Sequence, residues 1–287
     1  MSWTRREFLK QSAVGVAGAA LIPSFLAQLA AAAPNAKFRL GARQFGDNFE
    51  SAKRAGMDGL ELGVGGAAEK LHIADADYRA KIKESAKAAG LVVSSLSMDL
   101  LNGHPLFDDP QAPAWVAQTI EAAGDLSAAA ILIPFFGKAN LTEAKELKKA
   151  AADALVERLK KLAPAAAQAK VSLGVECTLT AKQYIELLDR VGSDAVGAYY
   201  DIGNCTGAGF DVPGDIRALK GRISSIHFKD GGSFLGEGKV KMEPVCEAIR
   251  AIDYPGWIVL ETSCPTKNTE ADCKRNADFS RKLLGLS

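Results

Sequence analysis

Val171-Ser172-Leu173-Gly174-Val175-Glu176 is a short apolar run that closes on a carboxylate. Three later segments repeat the design: Val196-Gly197-Ala198-Tyr199-Tyr200-Asp201, Ile223-Ser224-Ser225-Ile226-His227 and Trp257-Ile258-Val259-Leu260-Glu261. Each reads as a buried strand, and each delivers one metal-capable side chain at its C-terminal end. Strands often end in polar residues because loops begin there. Three carboxylates and a histidine in register exceed that expectation, because the chain has only three histidines.

Outward from this stretch the chain alternates. Strands are expected over Phe38 to Gln44, Gly59 to Gly63, Leu91 to Met98 and Ala129 to Phe136, ahead of the four already quoted. Helices are expected between them: Asn48 to Ala55 with Asn48 as cap, Asp77 to Ala89 closed by Gly90, Pro113 to Leu126, and a long one over Leu141 to Ala169 with Thr142 as cap. Thr180 to Val191, a short Asp215 to Leu219, Pro244 to Ile252 and Glu270 to Leu284 follow. Strands separated by helices predict parallel pairing, and apolar character on both faces predicts burial on both. Eight such units in about 250 residues are the size of a (β/α)8 TIM barrel in a single α/β domain, over residues 37–287. An open doubly wound sheet is the alternative. It predicts a glycine-rich turn after the first strand, which Gly41-Ala42-Arg43-Gln44-Phe45-Gly46 matches poorly.

The 287 residues carry 35 basic and 34 acidic side chains, so no polyelectrolyte partner is implied and no basic stripe points to nucleic acid. Five cysteines, an odd number without a C-x-x-C pair, argue against a disulfide framework. Cys177 follows Glu176 and faces the other way on a strand, as a small buried hydrophobe. A homo-oligomer is compatible with the sequence.

Residues 1–33 read as a targeting segment. Thr4-Arg5-Arg6-Glu7-Phe8-Leu9-Lys10 precedes a mildly apolar run from Ser12 to Ala33, rich in Ala and Gly. The segment resembles a twin-arginine export signal cleaved among Ala30 to Ala33. That implies the twin-arginine export machinery as partner and a periplasmic or secreted protein. An uncleaved signal anchor is the alternative.

In a barrel the C-terminal strand ends ring one face. Glu176, Asp201, His227 and Glu261 are spaced by 25, 26 and 34 residues, about one βα unit each. Four ligands from four adjacent strands can surround one cation. Three oxygens and one imidazole favour one divalent ion, Mn²⁺, Mg²⁺ or Co²⁺ before Zn²⁺.

From Lys37 onward the chain resembles the xylose-isomerase-like sugar phosphate isomerase/epimerase superfamily. The matching stretches are Gly59-Leu60-Glu61-Leu62, Gly174-Val175-Glu176, Tyr200-Asp201-Ile202-Gly203-Asn204, Ile226-His227-Phe228-Lys229-Asp230, Gly236-Glu237-Gly238 and Gly256-Trp257-Ile258-Val259-Leu260-Glu261. The resemblance implies a carbohydrate substrate and a metal-dependent isomerase or epimerase. Glu176 and Glu261 would then be both ligands and the acid/base pair, exchanging a proton beside a carbonyl through an enediolate. Some ketose epimerases of the superfamily carry a histidine three residues after the sixth-strand Asp; here it is Asn204, which puts ketose epimerisation in doubt while leaving an amide to touch substrate.

Further substrate contacts are expected from Glu61, at the end of the second strand, from Lys229, on the face of His227, and from His104, in the loop after the third strand. Asp230 is expected to point away from His227, so a second cation site is poorly supplied. Three rival readings remain. An endonuclease-IV-like repair enzyme would need many more histidines. A non-catalytic sugar-binding barrel would be free to lose the ligands. A metal-dependent lyase or hydrolase on keto-glycosides would use the same ions and bases.

Overall fold

The structure is a computed structural model that describes residues 38–286. The expected export segment therefore lies outside the described residues. Among them no helix is long and apolar enough to cross a membrane.

Eight parallel strands close into one barrel: β1 (Arg39–Ala42), β2 (Gly59–Gly63), β3 (Val92–Ser97), β4 (Ala130–Pro134), β5 (Ser172–Glu176), β6 (Val196–Asp201), β7 (Ile223–Phe228) and β8 (Trp257–Leu260). Each strand pairs with its predecessor, and β1 pairs with β8 from Arg39↔Trp257 to Ala42↔Leu260. The sheet has no free edge. The strands are buried along nearly their whole length because both faces are covered, by the barrel interior and by the helices outside.

The helices are α1 (Phe49–Arg54), α2 (Ala76–Ala89), α3 (Ala112–Leu126), α4 (Lys149–Ala169), α5 (Ala181–Val191), α6 (Ile202–Gly207), α7 (Val212–Leu219), α8 (Met242–Ala251) and α9 (Thr269–Leu284). Local chemistry sets their ends. The Asn48 side chain accepts the Ser51 N–H, and Gly90 closes α2 in the left-handed region at φ 70°. Thr180 and Gln183 form a reciprocal capping box at the start of α5.

Two expectations need correction. Leu141 to Ala169 is not one helix. Thr142–Glu143 and Glu146–Leu147 form a small antiparallel hairpin, and the helix begins at Lys149. The chain reverses through Ala144 and Lys145, at φ 49° and 69°, which no right-handed helix accommodates. Thr142 is therefore a strand residue, not a cap. The second correction lies after β6, where the helix expected at Asp215 to Leu219 starts earlier, at Val212, and is preceded by an unexpected helix, α6. Asp201 caps α6 at once by accepting the Asn204 N–H at 2.7 Å, and Asp211 caps α7 at Gly214.

The barrel interior is itself packed. Tyr199 crosses it and meets Ala130 and Leu132. Gly174 makes room for that ring: a Cβ there would stand 2.8 Å from Tyr199 Cδ2 and 2.7 Å from Ser224 Oγ. The five cysteines are unpaired, and Cys177 is buried with its sulfur toward the Phe135 carbonyl.

Candidate metal centre

Parallel closure puts every strand's C-terminal end on one face. Glu176 ends β5, Asp201 ends β6 in register with His227 of β7, and Glu261 follows β8 directly. The Glu261 N–H extends the ladder by donating to the Phe228 carbonyl at 3.0 Å. One potential ligand atom from each of the four lies within 4.8 Å of the others.

His227 is fully buried at the centre. Its Nδ1 lies 3.4 Å from Glu176 Oε1, 3.3 Å from Glu261 Oε2 and 3.9 Å from Asp201 Oδ2. Neither Nδ1 nor Asp201 Oδ2 finds a hydrogen-bond partner among the described residues. Lys229 Nζ does approach that Asp201 oxygen, at 3.1 Å, as an ion pair. Buried polar atoms left this way are costly unless a ligand completes them.

The charges point the same way. Glu61, Glu176, Asp201 and Glu261 are four carboxylates, and Arg43 and Lys229 are the two cations against them. With His227 neutral and the exposed Asp99 on Arg43 set aside, four against two leaves an excess of two negative charges, which one divalent ion would neutralise. Without it, burial pushes Glu176 up to about 7 and also raises Asp201. For Glu261, burial is outweighed by His227 and Lys229, which hold it well below the usual carboxylate range. Burial lowers the His227 pKa, but Glu61, Glu176 and Glu261 carry it well above its ordinary value. The donor set, three carboxylates and a neutral imidazole, fits a hard or borderline divalent cation.

The sequence matches the family described as xylose isomerase-like TIM barrel over residues 49–283. The chain belongs to that family. No curated protein matches it. Among solved structures it is similar to a D-psicose 3-epimerase with D-fructose, at 17% identity and a TM-score of 0.71, covering 86% of this chain and 99% of that one. It is also similar to an L-ribulose 3-epimerase, at 21% and 0.73, covering 86% and 95%. A third is the 3-keto-D-glucoside 4-epimerase YcjR from E. coli, at 15% and 0.71, covering 86% and 100%.

Within this xylose isomerase-like barrel, the other expected site residues separate. Lys229 does share the face of His227, and its Nζ sits 2.7 Å from Glu261 Oε2. Asn204 lies in the first turn of α6, with its backbone bound to Asp201. Glu61 was expected to line the pocket, but it lies beneath the cluster, 1% exposed. Its Oε1 faces His227 Nε2 at 3.2 Å, while Oε2 accepts from Tyr199 and from Ser95 Oγ. His104 was expected at the substrate. Its Nδ1 pairs instead with Asp109 at 2.8 Å, and its ring stands edge-on to Trp115. No contact joins it to the four ligands among the described residues. Asp230 is turned away, its carboxylate accepting the N–H groups of Gly236, Gly238 and Val240.

Sequence reading missed Arg43. It leaves the end of β1 and donates to Glu261 Oε1 at 2.6 Å and to Asp99 Oδ2 at 2.7 Å. Arg43 and Lys229 therefore hold opposite oxygens of one carboxylate. The sequence does carry a signal, since Arg43 also follows a strand end, but an arginine is not a metal-ligand type. Tyr199 was missed because its position two residues before Asp201 reads as ordinary core.

Proposed function

We propose that the protein is a divalent-metal-dependent isomerase or epimerase of a sugar or sugar phosphate, acting by proton transfer beside a carbonyl. The observation that carries this reading is the convergence of Glu176, Asp201, His227 and Glu261 around one point. The three named neighbours are all sugar epimerases, which supports a carbohydrate substrate.

In this reading the same four residues would hold one ion, Mn²⁺, Mg²⁺ or Co²⁺ before Zn²⁺. Bound there, such an ion would supply Lewis acidity beside the substrate carbonyl. One of Glu176 and Glu261 removes the proton from the carbon beside the carbonyl, and the other returns a proton to the adjacent position or the opposite face. Arg43 and Lys229 fix the Glu261 carboxylate from both sides, so its approach to substrate is set in advance. Glu61 would accept a hydrogen bond from Nε2–H of His227, leaving Nδ1 as the atom that faces the ion. Asn204 and Lys229 are the proposed contacts to substrate oxygens. Residues 1–33, with Arg5-Arg6 ahead of a mildly apolar run, would carry the folded protein to the periplasm or beyond.

Turnover in deuterated water tests the chemistry. Aldoses, ketoses and keto-glycosides are offered to metal-loaded protein, and product is read by NMR. Deuterium is expected at the reacting carbon. Turnover that leaves that carbon unlabelled, as an internal hydride shift would, overturns the proton-transfer reading. No conversion of any of these sugars overturns the assignment as an isomerase or epimerase.

A further inference from the structure

A second cleft opens at the other end of the barrel, and its construction is independent of the metal-capable cluster. It has a volume of about 660 Å³ and is lined by Arg39, Val92, Leu126 and Trp257, with Lys87 and Lys170 at its rim. Arg39, Val92 and Trp257 are the first residues of β1, β3 and β8, so this is the N-terminal face. The size is that of a small-molecule site.

The floor of the cleft is built. Trp257 is buried and lies across the barrel base. Gly59 makes room for it, since a Cβ there would stand 2.8 Å from Trp257 Cη2 and 2.7 Å from the Val92 carbonyl. The Arg39 guanidinium stacks on the indole, 4.4 Å from its centroid. Val92, 45% exposed, adds an apolar wall and is the single large hydrophobic residue exposed among the described residues.

Arg39 has the stack but no ion pair among the described residues. Asp58, the acid that acts on it, has its oxygens turned to the Leu40 N–H and to Arg281. The cleft-lining Lys83 is paired with Asp125, which also holds Arg79. Burial lowers the Arg39 pKa by more than Asp58 and Tyr254 restore. Lys87 and Lys170 stand at the C-terminal ends of α2 and α4, where the helix dipole accounts for a cation. Arg39 begins a strand and has no such reason to be there.

We infer that this basal cleft binds a planar amphipathic monoanion, an aromatic carboxylate or sulfonate. Its anionic group meets the free edge of the Arg39 guanidinium, and its apolar body lies against Val92 and Leu126. The guanidinium offers paired N–H donors matched to a carboxylate. The lysines at the rim add attraction without fixing geometry.

Calorimetric titration of the full chain with 2-naphthoate, and with neutral 2-naphthylmethanol, tests this. We expect saturable 1:1 binding of 2-naphthoate, at least tenfold weaker for the neutral analogue. Arg39→Gln should weaken 2-naphthoate at least tenfold. Val92→Trp, on an exposed position, should fill the cleft and abolish binding while Arg39 remains, so the test stands even if Arg39→Gln fails to fold. Chelating divalent ions should leave the affinity unchanged, because the other cluster lies at the opposite end of the barrel. Absence of saturable binding, equal affinity for the two naphthalenes, or binding that survives Val92→Trp would overturn the proposal. So would affinity lost on chelation.

Discussion

Glu61 Oε1 lies 3.2 Å from His227 Nε2, and both side chains are buried. A carboxylate behind an imidazole favours the tautomer protonated at Nε2, which would leave the Nδ1 lone pair for a cation held among Glu176, Asp201 and Glu261. Such partners typically contribute 10–100-fold to metal affinity. Glu61→Gln should therefore weaken divalent-ion binding by about that factor in a chelator competition, since a neutral amide holds the imidazole less firmly. Unchanged affinity would show that Glu61 does not orient His227.

The folded protein should hold one equivalent of divalent ion by elemental analysis. Dialysis against a chelator should remove both the ion and turnover, and the ion should restore turnover. His227→Ala should lower metal content sharply, because it removes the one nitrogen ligand from the centre of the cluster. Full activity in metal-free protein would exclude the proposed chemistry.

Glu176→Gln and Glu261→Gln should each lower turnover by about 10²–10⁴, the usual loss for a general acid or base. Metal content of each variant must be measured alongside, since both residues are also proposed ligands. A variant that keeps its ion and its rate takes that residue out of the proton transfer.

Gly174→Ala probes the interior of the barrel. The added methyl would meet Tyr199 Cδ2 and Ser224 Oγ inside normal contact distance. Overpacking of this kind costs about 1–3 kcal/mol, to be read from urea unfolding midpoints. Unchanged stability would mean that the Tyr199 ring can move aside without cost.

Arg5→Lys with Arg6→Lys should hold the protein in the cytoplasm of a host that exports twin-arginine substrates, as seen by cell fractionation. Undiminished export would show that the paired arginines are not read as that signal.

The alternation of eight apolar runs with amphipathic ones was enough to define the barrel, because burial on both faces leaves a run of Val, Ile and Leu with no polar side. It also aligned Glu176, Asp201, His227 and Glu261, because topology alone brings successive strand ends to one face. Lys229 was legible for a related reason: side chains two residues apart on a strand share a face.

What the tertiary structure decided is what lies outside those periodicities. The hairpin before α4 depends on two residues in the left-handed region, and Ala144-Lys145 carries no glycine or asparagine to announce it. Whether Glu61 lines the pocket or backs a ligand turns on depth within the barrel, and strand alternation carries no depth. His104 was drawn to Asp109 and Trp115, partners close in sequence but chosen by loop geometry. The grip of Arg43 on Glu261 joins residues 218 apart. The sequence by itself placed ligand-type residues at the mouth of a barrel. Which of the remaining charges would neutralise, orient or avoid them was decided by distances that exist only once the last strand pairs with the first.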